Sequence, residues 1–402
     1  RILLALTVLL SVQLADAQVK APEAAKKAVD AAEAASKDAK KATKVATWLK
    51  LATAYMDAYN APKGSAWLGA SKQELQLILG GEQPLSVEVV ELNGVPYTKE
   101  SFATRDYYYN QNGVLEIIKV TKPIYENALA EAVKAYAKAN EVDLKQSKTK
   151  DINAGLESIA RKYLDEGMTS YMLGDLAGAS VCFENAVNAS ATAPLSKVDT
   201  TSLYNAGFTA WMVQDYERAK GFFESCIENG YYHEDGDAFA KLADTYGKLG
   251  DKEKMVAVLE KGFGLYPQSQ SILIGLINYY ISSGENTDRL FVLIDEAKKN
   301  EPNNASLYYV EGNIYKELKN IEKAVESYYK CAEINPEYEF GYIGAGILYY
   351  DLAIELQEKA SNEFDDKKYN ALVEEFEQAL KNALDPFEKA YTISKDNELK
   401  VN

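Results

Sequence analysis

Residues Ala305–Pro336 read ASLYYVEGNIYKELKNIEKAVESYYKCAEINP, and the spacing of small and bulky residues in this stretch decides the fold. Apolar residues recur at intervals of three and four, which predicts one helix over Ala305–Leu318 and a second over Ile321–Ile334, joined by a turn at Lys319-Asn320. Pro336 closes the pattern, because proline has no amide hydrogen to continue a helix and its ring clashes with the preceding turn. Small residues stand at Gly312, Ala324 and Cys331, and large ones at Tyr308, Tyr315 and Tyr328. Small residues let two helices approach, and the rings fill the space beside them. One such pair buries only part of its apolar surface, so the pattern demands neighbours.

Neighbours lie upstream at a fixed interval. Pro267, Pro302 and Pro336 fall about 34 residues apart. Helices are predicted over Ser271–Ile281 and Asp288–Lys299 around Ser283-Gly284, and over Asp237–Leu249 and Lys252–Leu265 around Gly250-Asp251. The unit from Gly236 keeps Ala243, Tyr246, Gly262 and Pro267 at the packing positions. The unit from Gln270 has one extra residue and keeps Tyr280, Ile294 and Ala297. The unit from Thr200 has Leu203, Gly207, Ala219, Phe223 and Cys226, and that from Ala160 has Tyr163, Gly167, Ala179, Phe183 and Ala186. This spacing resembles the tetratricopeptide-repeat (TPR) family. The resemblance implies an all-α solenoid, a right-handed superhelix of antiparallel helix pairs, with five tandem units over 151–338.

Two further units are interrupted. Trp48, Ala52 and Tyr55 suit a first helix whose partner is predicted over Ile124–Asn140, opening at Pro123, with Ala132, Val133, Tyr136 and Ala139 at packing positions. Between them, about 60–123, lies an insertion within an N-terminal region 18–150. Ser71 and Glu74 form a capping box that opens a short helix. Val87–Leu92 alternates, Asn93-Gly94 makes a hairpin turn, and Val95 resumes extended chain. Arg105–Tyr109, Asn112-Gly113 and Val114–Val120 predict a second hairpin, so a small β-hairpin insertion decorates the first helix pair. In the region 339–402, Tyr342, Gly346 and Tyr349 suit a first helix running to Asn362. A long helix from Lys368 is expected to kink or break at Asp385-Pro386, with Phe387 and Ala390 at packing positions. The last apolar face has no predicted cover after Ala390, which points either to self-association at this end or to a chain that continues past Asn402.

Ile2–Val12 is apolar after Arg1, and Ala15-Asp16-Ala17 supplies small residues at the −3 and −1 positions of a signal-peptidase site. A signal peptide over 1–17 is therefore expected, with no cysteine at the cut to carry a lipid. No later run reaches the length of a membrane span; the most apolar, Ile272–Ile281, contains Asn278. The interrupted first and last units resemble those of exported TPR proteins of Gram-negative bacteria, which implies a periplasmic or outer-membrane-associated protein.

Composition narrows the chemistry. The formal net charge of −16 repels phosphate backbones, so nucleic acid is not an expected partner. The Lys-rich stretch Lys20–Lys50 reads as a solvated helix face. Cys182, Cys226 and Cys331 lack CxxC spacing and read as buried thiols rather than a zinc site or disulfide framework. His233 is the single histidine, which disfavours a catalytic triad or a histidine-rich metal site. The turn His233-Glu234-Asp235-Gly236 lacks calcium-loop spacing, and Gly341, Gly344 and Gly346 fall in a helix rather than a phosphate loop. No cofactor, metal or catalysis is expected; a site around Arg105–Tyr109 would lack a nucleophile–base pair.

The resemblance further implies that the first helix of each unit lines a concave groove. The residues at groove positions are Met168, Tyr171 and Met172, then Tyr204, Asn205, Phe208 and Trp211, then Asn278, then Tyr309 and Asn313, then Ile343, Ile347 and Tyr350. Tyr309 stands where a carboxylate clamp would place lysine, which disfavours that mode. The aromatic content suits an apolar or amphipathic protein segment, making the chain a non-catalytic binding scaffold or adaptor in the cell envelope. Carbohydrate binding on Tyr and Trp platforms is the alternative. The Tyr204/Phe208/Trp211 rings could equally pack on neighbouring repeats, and both readings stand at this point.

Overall fold

A computed structural model describes residues 19–283 and 287–394. The leader expected at 1–17 and Gly284 of a predicted turn lie outside the described residues. The chain divides into two compact units between Asn229 and Gly230.

The first unit opens with α1 (Pro22–Lys37) and α2 (Val45–Asn60), packed together through Ala25 and Val29 of α1. The insertion follows. Its helix α3 (Lys72–Ile78) starts at the Ser71/Glu74 capping box, in which side chain and backbone bond reciprocally. Four strands, β1 (Ser86–Leu92), β2 (Val95–Ser101), β3 (Arg105–Tyr109) and β4 (Leu115–Val120), form an antiparallel meander in sequential order. Side chains alternate across the sheet. Tyr107 and Tyr109 therefore pack on Leu75 of α3 while Tyr108 points the other way with Tyr97, and a register shift opposite Tyr108 and Tyr109 sends Leu115 to the first face and Ile117 to the second.

The helices resume with α4 (Ala128–Val142), which packs on α2 across the insertion, and then α5 (Thr149–Met172), α6 (Leu176–Ala191), α7 (Thr200–Met212) and α8 (Tyr216–Glu228), each packed on the helix before it. Helix α4 starts at Ala128, not beside Pro123 as the sequence suggested. Ile124 and Tyr125 pack against the core that α1 and α2 help to form, in non-helical chain, with the Tyr125 ring edge-on to Tyr55 at 5.7 Å. The helix can begin only after they are seated.

The second unit holds α9 (Asp237–Lys248), α10 (Lys252–Leu265), α11 (Gln270–Ser283), α12 (Thr287–Asn300), α13 (Ala305–Glu317), α14 (Ile321–Ile334), α15 (Phe340–Ser361) and α16 (Asp366–Ile393). Within it the first helices α9, α11, α13 and α15 are successive neighbours. Helix α16 does not break at Pro386 but runs through it. Ala383, Pro386 and Ala390 are buried on either side of the proline, and Lys389 pairs with Asp385 one turn earlier at 2.8 Å. Tertiary packing here outweighs the roughly 3 kcal/mol that an interior proline costs.

One contact recurs through both units. An ideal Cβ on Gly167 of α5 would stand 2.5 Å from the Phe183 ring of α6. The same construction puts Gly207 3.0 Å from Phe223, Gly312 2.6 Å from Tyr328, and Gly346 2.7 Å from Phe387. In these four helix pairs an aromatic ring lies against the bare backbone of its partner, including the long terminal pair. The turn inside each pair is also repeated. A residue with positive φ (Gly174, Gln214, Gly250, Lys319) precedes Asp175, Asp215, Asp251 or Asn320, whose side chain accepts from an amide in the first turn of the next helix. That cap satisfies an otherwise orphaned donor and stops the preceding helix at one place.

Candidate interaction face

The expected groove residues divide sharply by location. In the first unit they are largely consumed by packing. Met168 and Tyr171 of α5 are half-buried and lie, with Leu164 and Phe222, on a core formed by Ala179, Phe183 and Ala206. Met172 and Leu173 pack under Tyr97, Tyr108 and Ile117 of the sheet, and Asn93 Nδ2 donates to the Met172 carbonyl at 3.4 Å. The inserted sheet therefore sits on the C-terminal end of α5, over a position where a ligand was expected.

On α7, Tyr204, Phe208 and Trp211 form a run of stacked rings, Tyr204 to Phe208 at 6.2 Å and 13°, Phe208 to Trp211 at 6.2 Å and 25°. Tyr204 also lies against Phe223 at 5.9 Å. Tyr204 and Phe208 are each only 5% exposed, so of the two readings the sequence left open these two rings take the packing one. Trp211 and Asn205 are half-buried. Rings spaced three and four residues apart share one helix face, and that spacing alone does not separate a core face from a solvent face.

The second unit keeps an accessible face. Asn278 of α11 is exposed and Tyr309 of α13 is half-buried. Tyr309 gathers a cluster with Tyr338 (6.4 Å) and Phe340 (5.8 Å), which are 5.3 Å from each other. Gln270 Nε2 donates to Tyr338 Oη at 3.1 Å and fixes its ring. Burial raises the Tyr338 phenol above its ordinary range, and the Gln270 bond opposes this, so Tyr338 is neutral at physiological pH. Asn313 serves the core instead of a ligand through its carbonyl oxygen: Oδ1 accepts from Tyr328 Oη at 2.7 Å. Lys316 Nζ meets Asp351 Oδ2 at 2.7 Å and ties α13 to α15.

Along α15, Phe340, Ile347, Tyr350 and Ile354 are 37–49% exposed, with Ile343 between them half-buried. Their spacing places them on one stripe, flanked by the glycines and alanines that pack inward (Gly344, Ala345, Gly346, Ala353). Ile347 and Tyr350 were legible as groove positions, but Phe340 and Ile354 were not. Continuing the helical interval one turn in each direction would have found both.

Elsewhere, titratable groups are placed for structure. Strand β3 is buried throughout. Arg105 reaches Glu82 Oε2 at 2.6 Å through Nη2 and Tyr107 Oη at 2.6 Å through Nε, and Tyr107 donates to the Lys63 carbonyl at 2.6 Å. Lys63 Nζ donates to Tyr59 Oη at 2.5 Å and lies 4.0 Å from that ring's centroid. Burial pushes the Cys226 and Cys331 thiols up to about 12 and Cys182 to about 11, so all three are protonated and unreactive at neutral pH. Among the described residues no group of three or more His, Cys, Asp or Glu side chains converges to hold a metal, and no helix is long and apolar enough to cross a membrane.

Two stretches of the chain, 236–269 and 305–338, match the tetratricopeptide repeat family model. No curated protein sequence matches the chain. Among solved structures, a TPR repeats protein from Bacteroides fragilis is 19% identical, covering 60% of this chain and 95% of its own at a TM-score of 0.28. A tetratricopeptide repeat protein from Parabacteroides merdae is 16% identical, covering 60% and 99% at 0.38. YrrB, a TPR protein with an unusual peptide-binding site, is 21% identical, covering 52% and 96% at 0.32.

Proposed function

We propose that this chain, which carries tetratricopeptide repeats at 236–269 and 305–338, is a non-catalytic scaffold that holds an apolar or amphipathic protein segment on the α13/α15 face. The observation that carries the reading is the stripe Phe340, Ile347, Tyr350 and Ile354, an apolar face exposed on first helices and rimmed by Tyr309 and Tyr338. Large side chains held open on a rigid helix cost little entropy to dock against, and aromatic residues dominate binding hot spots. Exposed Asn278 on α11 and the Lys316–Asp351 pair supply polar edges that orient a bound segment. The leader-like 1–17 supports placing this activity in the cell envelope of a Gram-negative bacterium. Glycan binding is less favoured by the same stripe. Sugar platforms use flat rings beside hydrogen-bonding groups, and two of the four exposed residues here are isoleucine.

The test is peptide display panned against the wild-type protein and against an Ile347→Asp/Tyr350→Ala variant. Wild type should enrich peptides with apolar residues at helical or alternating spacing. The variant should bind them on the order of a hundredfold more weakly while its circular dichroism is unchanged. Equal binding by both proteins refutes this placement, and retention of soluble polysaccharide in place of peptides would establish the glycan reading.

A further inference from the structure

The inserted sheet closes one of its edges and leaves the other bare. At the β4 edge, the Leu115 carbonyl accepts from the Gly69 amide at 2.8 Å and the Leu115 amide donates to the Ala70 carbonyl at 2.9 Å, so the chain before α3 covers that side. Strand β1 is the opposite edge. Its hairpin turn has positive φ at both Asn93 and Gly94, 52° and 78°, the geometry in which the flanking Leu92 and Val95 exchange both ladder hydrogen bonds. Bonding alternates along a strand, so Val87, Val89 and Glu91 turn their amides and carbonyls away from β2, and none of these groups meets a backbone partner among the described residues. The side chains are open as well: Val87 is 55% exposed and Val89 76%. Sheet edges are ordinarily blunted by proline, lysine or brevity. Strand β1 is seven residues long and holds neither proline nor lysine.

We propose that β1 pairs with an extended segment of another protein, one that carries lysine or arginine, and so gains a further strand. The unpaired ladder selects the conformation, because only extended chain presents donors and acceptors at its two-residue interval. Charge selects the composition. On one face Glu88, with a side chain 53% exposed, shares the Lys99 ammonium (2.9 Å) with Asp106 (3.6 Å), so two carboxylates face one cation. On the other face Glu91 is exposed and has no ion pair among the described residues. A cation across from each of Glu88 and Glu91, and an apolar side chain across from Val87 and Val89, complete the cross-strand rows. In antiparallel pairing such a segment reads basic, any residue, apolar, basic, apolar. A second copy of β1 does not meet this requirement, since it has no lysine or arginine to offer and brings two more carboxylates. The edge lies in the first unit and shares no residue with the α15 stripe, so its test is separate from that of the proposed function.

The experiment is fluorescence polarisation with the labelled peptide TKTVKVT, in which the first lysine falls opposite Glu91, the first valine opposite Val89 and the second lysine opposite Glu88. Wild type is expected to bind it saturably below about 1 mM at low salt. N-methylation of the first valine, whose amide would face β1, should weaken binding at least about tenfold, whereas N-methylation of the second lysine, whose amide faces away, should leave it unchanged. Val89→Pro removes an outward amide without touching the bonds to β2 and should weaken binding to a similar degree, with circular dichroism unchanged. Glu91→Lys should bind TKTVKVT more weakly than wild type does and TETVKVT more tightly, which keeps the test independent of how the proline is tolerated. Absence of binding to wild type, or equal loss from both N-methyl peptides, overturns the proposal. Light scattering that shows a wild-type dimer abolished by Val89→Pro would assign the edge to a second copy and overturn it as well.

Discussion

Replacing Gly312 with alanine should destabilise the unit after Asn229 by about 2 kcal/mol, although alanine is the better helix former. A Cβ at this position would stand 2.6 Å from both Cδ1 and Cε1 of Tyr328. The ring cannot retreat, because a Cβ built on Gly344 from the opposite side would lie 2.7 and 2.5 Å from the same two atoms. The phenol is also held by Asn313 at 2.7 Å. Tyr328 is thus wedged between two bare backbones. Overpacking a full site costs roughly 1–3 kcal/mol, and a ring without an escape route belongs at the upper end. The alanine propensity returns about 1 kcal/mol, which leaves the net figure. Gly221 of α8 is the control, since a Cβ there meets nothing within 4 Å. Gly221→Ala should therefore stabilise its own unit by up to about 1 kcal/mol. Urea unfolding separates the two effects. All three tryptophans, Trp48, Trp67 and Trp211, precede Gly230, so indole fluorescence reports the first unit, while circular dichroism reports both. With a slope of about 2 kcal/mol per molar urea, the Gly312→Ala midpoint falls by about 1 M. A midpoint that rises or stays fixed for Gly312→Ala, or falls equally for Gly221→Ala, refutes the wedge.

Two further outcomes follow from the insertion. Tyr107→Phe should loosen the sheet by roughly 1–2 kcal/mol, because it strands the Lys63 carbonyl and the Arg105 Nε together. Hydrogen exchange of β3 should accelerate accordingly, and unchanged protection would show that water replaces the hydroxyl. Burial lowers the Lys63 ammonium to about 8, with Glu166 opposing the shift and Lys162 reinforcing it. Its folded value lies below that of an unfolded lysine. The stability it contributes is complete above the unfolded value and is lost as pH falls through about 8. Methyl-labelled lysine NMR should show one resonance titrating near this value and disappearing in Lys63→Met; titration of every lysine above 10 would contradict it.

The repeat was readable because its information is local. Helices α10 and α14 begin and end at the residues that the apolar interval and the flanking prolines indicate. Both hairpins of the insertion follow from Asn-Gly turns between alternating segments, and α3 from its capping box. The four Asp or Asn caps that set the turn inside each pair were equally present in the chain, at one fixed position of the unit, although only the turns at Gly250-Asp251 and Lys319-Asn320 were read. The starts and stops that were misjudged, at Pro123 and Pro386, are places where distant residues overrule a local rule. At the first, the α1/α2 core claims Ile124 and Tyr125. At the second, packing against α15 carries α16 across its proline.

The order of the helices, their pairing and the close glycine–aromatic contacts are consequences of residue type at a fixed interval, and the sequence by itself determined them. Tertiary structure alone decided which apolar faces stay open. Amphipathic periodicity says that a face is apolar but does not name its cover, since that cover arrives from residues far along the chain. Tyr204 and Phe208, for which the sequence left a ligand surface and a packing role equally open, are buried, Met172 lies under the inserted sheet, and an exposed stripe falls on α15.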